Sequence, residues 1–318
     1  MKLIALTFLI SFQLLNAQNI DSLFNEALAV INRAKGTPQK CGFELASEIR
    51  LNYDKFTEAQ KSQLKNLLSR PSNQTSIKDA RGWARIHYDT TGANVPTYSV
   101  SDLLAALDTV YLKEIEEMGF PLPPSDGNAG GDSAYDIYIQ NLGGSYYGYT
   151  MPENLVAGED SAFTSFVVIN SSFQGFYTEG INAARVTLAH ELHHAIQMGN
   201  YILRTEDTYF YELTSVSMEE FVFPYVNDYV AYLPEYFNNP NKAFPDYTGY
   251  NLGIWNLFLR KELGYSIFLS QWEKMKRMRA AHAIEFSLEE NNLNFTNSLA
   301  EFGKWNFFTD YRAKEGKY

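Results

Sequence analysis

At 318 residues with a formal charge of −11, the chain has room for a sizeable core and for two domains or lobes, and it lacks the clustered Lys and Arg that nucleic acid or an anionic membrane surface requires of a partner. Hydrophobic residues at 45% and charged residues at 20% are ordinary globular usage, which excludes a disordered chain. The single cysteine, Cys41, excludes an intramolecular disulfide.

Lys2 followed by the apolar run Leu3 to Leu15, and then Leu15-Asn16-Ala17 before Gln18, reads as a signal peptide cleaved after Ala17. The run is too short to span a bilayer and no other stretch approaches that length, so the expectation is a secreted protein, extracellular or periplasmic, with no transmembrane segment. Leu23, Phe24, Ala27, Leu28 and Ile31 recur at helical spacing and predict a helix over 21–35, closed by Gly36-Thr37-Pro38. Thr57 and Gln60 form a capping box that opens a second helix through Leu64, Leu67 and Leu68. The polar run Ser72 to Ser76 marks a shift in composition, and residues 18–80 form a candidate pro-segment. Cys41 lies inside it. A thiolate from a pro-segment can occupy the open position of a catalytic zinc and hold an enzyme latent; the alternative is a small buried thiol.

Arg85 to Asp89 alternates as a strand does, with His87 in a structural role, and Ser101 to Met118 is predicted as one helix, capped by Ser101 and ended by Gly119. The loop Pro121 to Ser133 carries Asp126 and Asp132, but their spacing fits no EF-hand and the loop reads as an ordinary one. Tyr135 to Ile139, Tyr146 to Thr150 and Phe166 to Asn170 read as strands. Residues 165–170 are the candidate edge strand that receives an extended substrate by strand addition.

The chemistry concentrates at His190-Glu191-Leu192-His193-His194, which holds three of the five histidines. Residues four apart share one helix face, so His190 and His194 can converge on one metal ion, while Glu191 sits beside that face as a candidate general base. Val186, Leu188, Leu192, Ala195 and Ile196 supply the apolar positions of the helix and Gly199 its stop. His193 lies about 100° round from His194, on a packing face. A zinc held by two histidines needs a third ligand. The next helical stretch, Tyr209 to Val226, offers Glu212 for it, with Glu206 and Asp207 as rivals. Glu219, two turns beyond Glu212 on the same face, can orient a ligand histidine. Further helices are predicted at Leu252 to Leu263, Ile267 to Met278 and Leu299 to Phe308. Tyr250, Tyr247 and His282 are candidates for the donor that stabilises a tetrahedral oxyanion.

The residues around this motif resemble a family of uncharacterised secreted bacterial metalloproteases of gluzincin type. The likeness rests on the alanine before His190, on Ala195-Ile196-Gln197, on Glu212-x-x-Ser215 leading to Met218-Glu219-Glu220, and on Pro224 to Tyr229. It extends upstream to Lys40-Cys41-Gly42, His87 to Gly92, Tyr135 to Ile139 and Ser165 to Asn170. The resemblance implies a zinc endopeptidase with His190, His194 and Glu212 as ligands and Glu191 as base. Gln197 and Asn200 stand where the metzincin pattern has Gly and His, so that subclass is rejected. Val216 stands where thermolysin-like gluzincins have an Asp after the ligand Glu, and His193 where related sequences tend to have an aromatic residue. Family members often continue into β-sandwich and sorting modules; this chain stops at Tyr318, as a single-domain member or a truncated one.

The sequence therefore predicts an α+β, zincin-like, two-lobed metalloprotease. A mixed sheet and the motif helix would lie in an N-terminal lobe over 81–199, and a mainly helical lobe over 200–318 would carry the third ligand. Zinc would be the cofactor and a peptide or protein the substrate. The competing reading is a secreted metal-binding adhesin or interaction protein that keeps the fold without catalysis.

Overall fold

A computed structural model describes residues 19–29 and 39–313. Residues 1–18, which include the expected signal peptide, residues 30–38 at the end of the first predicted helix, and the last five residues lie outside the described ones. These divide into two compact units. The first takes the chain to Val100 together with Ser125–Asn154 and Thr164–Ala184, and the second takes Ser101–Pro124, Leu155–Phe163 and everything from Arg185. Among the described residues, no helix is long and apolar enough to cross a membrane.

The first unit is built on a six-stranded mixed sheet. Its strands are β1 (Gln39–Cys41), β2 (Thr75–Lys78), β3 (Ala84–Tyr88), β4 (Tyr135–Gln140), β5 (Tyr146–Leu155) and β6 (Phe163–Asn170), in the spatial order β1-β5-β6-β4-β3-β2. β4 pairs in parallel with β3 and with β6, matching Ile86 to Ile137 and Ile137 to Val167, whereas β2 closes one edge antiparallel to β3. β4 and β6 are buried along nearly their whole length, as strands covered on both faces must be, which is why they read as near-continuous runs of Tyr, Ile, Val and Phe. This topology overturns one expectation. Residues 165–170 lie between β5 and β4, so their backbone groups are already paired on both sides and the strand has no open edge for a substrate. β1 and β2 form the edges.

Helix α1 spans residues 19–29, α2 Phe43–Leu51 and α3 Glu58–Leu68. The predicted capping box opens α3: the Thr57 hydroxyl accepts the Gln60 N–H, and the Gln60 side chain accepts the Thr57 N–H at 2.9 Å. Ala46, Leu67 and Leu68 pack on Tyr138, Tyr149, Met151, Phe166 and Val168 of the sheet, while Leu45, Ile49, Phe56 and Leu64 join Leu23 and Phe24 in a second cluster. Residues 39–78 of the candidate pro-segment thus supply both edge strands and part of the core of this unit. Cys41 is buried at the end of β1, where its sulfur accepts the Phe43 N–H at 3.2 Å.

One polar network sits within this apolar frame. The Arg70 guanidinium bonds to Asp126, Asp136 and Glu153, and its side chain is only 12% exposed. Asp136 also meets His87 Nε2 at 2.6 Å, and the His87 ring stacks on Tyr138 at 4.4 Å. Asp126, read as part of an ordinary loop, is thereby tied to the sheet by an arginine. Burial raises the Asp126 carboxyl, and Arg70 works against that rise. Removing the cation leaves three acids buried together. Arg70→Ala is expected to cost about 3–5 kcal/mol of unfolding free energy, read by chemical denaturation, with a loss below about 1 kcal/mol contradicting this role.

The second unit is helical. α4 (Val100–Val110) runs into a wider π-helical stretch, Tyr111–Glu117, in which the Met118 N–H reaches back five residues to the Lys113 carbonyl at 2.9 Å. The sequence predicts one α-helix here with Ser101 as its cap; instead the helix starts at Val100, and the wider turn re-aims the side chains beyond Val110. α5 (Gly180–Asn200) enters from the first unit, and α6 (Thr208–Val222), α7 (Leu233–Asn238), α8 (Gly253–Leu263), α9 (Ser266–Met275), α10 (Ala280–Glu289) and α11 (Phe295–Phe307) follow. Trp255 packs among Phe244, Phe258 and Phe302, and Trp272 among Tyr201, Phe210 and Tyr211. Gly253 lets α8 approach α6 closely, since a Cβ there would come within 2.8 Å of Val216.

Candidate metal centre

His190 and His194 lie one turn apart on α5, and both are buried. Their Nε2 atoms are 3.1 Å apart. From α6, Glu212 brings its Oε2 to 3.0 Å from His190 Nε2 and 3.5 Å from His194 Nε2. Ligands tetrahedrally disposed at about 2.0–2.1 Å from one ion stand about 3.3–3.4 Å apart, and the three separations bracket that value.

The other ring nitrogens explain the orientation. His190 Nδ1 meets Glu219 Oε1 at 2.7 Å, and His194 Nδ1 meets Gln197 Oε1 at 2.8 Å. The Gln197 amide is fixed in turn, donating to Thr214 Oγ1 at 2.6 Å and to the Tyr211 carbonyl at 3.2 Å. Each Nδ1–H therefore has an acceptor, and both Nε2 atoms face Glu212, where each can give a lone pair to a metal once His190 has lost its second proton. Three acceptors converging in a buried space repel one another unless a positive charge sits among them. Glu212 Oε1 is also buried with no hydrogen-bond partner. These residues fit a divalent cation.

The electrostatics agree. Burial works against a charge on His190, yet Glu212 and Glu219 outweigh it and lift its pKa to about 10. Burial would likewise raise Glu212, but His194 and His190 overcome it and hold the carboxyl at about 2. The site holds Glu212 ionised and favours positive charge.

Backbone close approach sets the position of Glu212. Gly249 has φ +101, and a Cβ there would stand 2.2 Å from the Tyr209 carbonyl and 2.8 Å from Glu212 Cβ. Only glycine lets this segment lie against α6. It carries Tyr250, half-buried, with its ring 6.2 Å from that of His190 and 5.4 Å from that of Tyr232.

The expected residues separate clearly. His190, His194, Glu212 and Glu219 come together, with Glu191 fully buried on the same helix and Tyr250 beside His190. The rivals to Glu212 are engaged elsewhere: Asp207 bonds Arg279 at 2.8 Å and Arg204 at 3.2 Å, and Glu206 is exposed, with its carbonyl taken by Arg279. The Tyr247 hydroxyl donates to the Asn239 carbonyl, and His282 is exposed on α10 with Phe286 as its ring neighbour, so neither joins the centre. His193 faces away from the ligand pair. Its Nδ1 meets Glu114 Oε2 at 2.8 Å, and its ring stands edge-on to Phe120 and Trp272. Burial pushes the Glu114 carboxyl well up and the His193 imidazole well down, which favours the neutral form of each.

Two partners escaped the sequence reading. Gln197 enters that reading only as part of the family resemblance and as a departure from the metzincin pattern, although its place three residues after His194 puts it within reach on the same helix. Glu114 is buried in the π-helical stretch, whose wider turn aims it at His193.

If Gln197 and Glu219 orient the ligands, Gln197→Leu and Glu219→Gln are each expected to lower zinc affinity about 10–100-fold. Zinc must also displace the proton that Glu212 and Glu219 hold on His190, so affinity is expected to climb as pH rises from about 6 to about 9. Calorimetric titration of the metal-stripped protein checks both; an affinity flat with pH and unchanged in the two variants contradicts them. No known family model matches this sequence, and no curated protein matches it either.

Proposed function

We propose that the chain is a secreted, two-lobed zinc peptidase of gluzincin type that hydrolyses peptide or protein substrates, most simply as an endopeptidase. The observation that carries the reading is the convergence of His190 Nε2, His194 Nε2 and Glu212 Oε2 within 3.5 Å, with Glu191 next in sequence to a ligand. Zinc bound there supplies Lewis acidity, which lowers the pKa of water and polarises a carbonyl. Glu191 takes the proton of the attacking water at its carboxylate and passes it to the leaving amine. Glu219 and Gln197 hold the two imidazoles by their Nδ1–H groups, and the Tyr250 hydroxyl donates to the developing oxyanion.

An adhesin that keeps the metal as a structural element needs His190, His194 and Glu212 but has no use for an acid at 191. Burying a carboxylate costs several kcal/mol, and Glu191 is 0% exposed, so its presence favours catalysis. Zinc analysis together with cleavage of casein and a peptide library tests the proposal. Glu191→Gln is expected to retain zinc and to lose about 10²–10⁴-fold in kcat/KM. Wild-type protein that binds no zinc, or a variant that cleaves as the wild type does, overturns it.

A further inference from the structure

Beyond the metal centre, the second unit holds a cavity of about 510 Å³ that the chemistry above does not use. That volume lies within the range of about 300–1,000 Å³ typical of small-ligand sites. Four rings wall it: Tyr209 at the start of α6, Tyr236 of α7, Phe244, and Phe295 of α11. Tyr209 and Ile284 are buried at 6% and 2% exposure and form the deep side. The charges are at the mouth, where Lys242 and Glu285 are both exposed and Lys242 already pairs with Glu235 at 3.1 Å.

The cavity and the metal centre share their supports. Tyr209 precedes Glu212 by three residues of α6, about 4.5 Å along the axis. The segment that supplies Phe244 to the wall continues to Gly249, which lies on the Tyr209 carbonyl and Glu212 Cβ, and to Tyr250 beside His190. The cavity wall and the ligand Glu212 are thereby neighbours along α6. Aromatic walls favour an aromatic guest through ring-to-ring contact as well as apolar burial. One cation and one acid at the mouth give no preference for a strongly charged guest.

We propose that this cavity receives a bulky aromatic side chain of the substrate and so sets specificity; the inference rests on the peptidase reading. The test has a binding arm and a kinetic arm, both on the zinc-loaded full chain. N-acetyl-L-phenylalaninamide is titrated by NMR into the wild type, into Ala281→Trp, which fills the cavity from the exposed side of α10, and into Leu299→Trp, which fills it from α11. Far-ultraviolet circular dichroism confirms that the variants fold. The probe is expected to bind the wild type and to be lost from whichever filled variants fold. In a peptide library the wild type is expected to prefer Phe, Tyr or Trp at one subsite, and the filled variants to raise KM for those peptides by about tenfold or more with a smaller change in kcat. Probe binding unaffected by filling, or cleavage with no aromatic preference at any subsite, overturns the inference. Probe binding lost on filling, in a protein that cleaves no peptide, overturns the peptidase reading instead and leaves the cavity as a site for aromatic ligands.

Discussion

Three acceptors with no room for water between them govern the helical unit. His190 Nε2, His194 Nε2 and Glu212 Oε2 stand 3.0 to 3.5 Å apart in the interior. Left to themselves these groups would turn away from one another or take up a proton. Their orientation is imposed from behind, by Glu219 on one ring and by Gln197 on the other, and those two residues are themselves buried. Such an arrangement is costly unless a cation completes it, because each lone pair would otherwise lose its hydration without compensation.

The need to bring Glu212 to α5 explains features that look incidental in isolation. Gly253 allows α8 to close on α6, and Gly249 allows the preceding segment to rest on the same helix beside Glu212. Asp207, bridged to Arg204 and Arg279, pins the start of α6 to the end of α9 and the start of α10. The Glu114–His193 pair fills the opposite side of α5 against Phe120 and Trp272, so the helix is held from both sides.

What could be read in the sequence was local in origin. A four-residue spacing places His190 with His194, a seven-residue spacing places Glu212 with Glu219, and an angular offset removes His193 from the ligand face; each follows from helix geometry alone. The mixed α and β content was legible for the same reason, since β4 and β6 read as strands and α3 carries its capping box. What was not legible depended on distant partners. That β6 is an interior strand is set by β5 and β4 together, and pairing order has no signature in a strand's own residues. The elimination of Asp207 depends on Arg279, 72 residues away. The π-helical turn that aims Glu114 at His193 shifts the register by one residue, which an apolar pattern tuned to 3.6 residues per turn does not register.

Zinc K-edge X-ray absorption on the purified protein, with metal content measured on the same sample, tests the central claim most directly. The account predicts one zinc per chain, with imidazole nitrogen and carboxylate oxygen neighbours at about 2.0–2.2 Å, and loss of the bound metal in His194→Ala. A protein that holds no zinc, or one whose zinc survives the loss of His194 with an unchanged coordination shell, would contradict it.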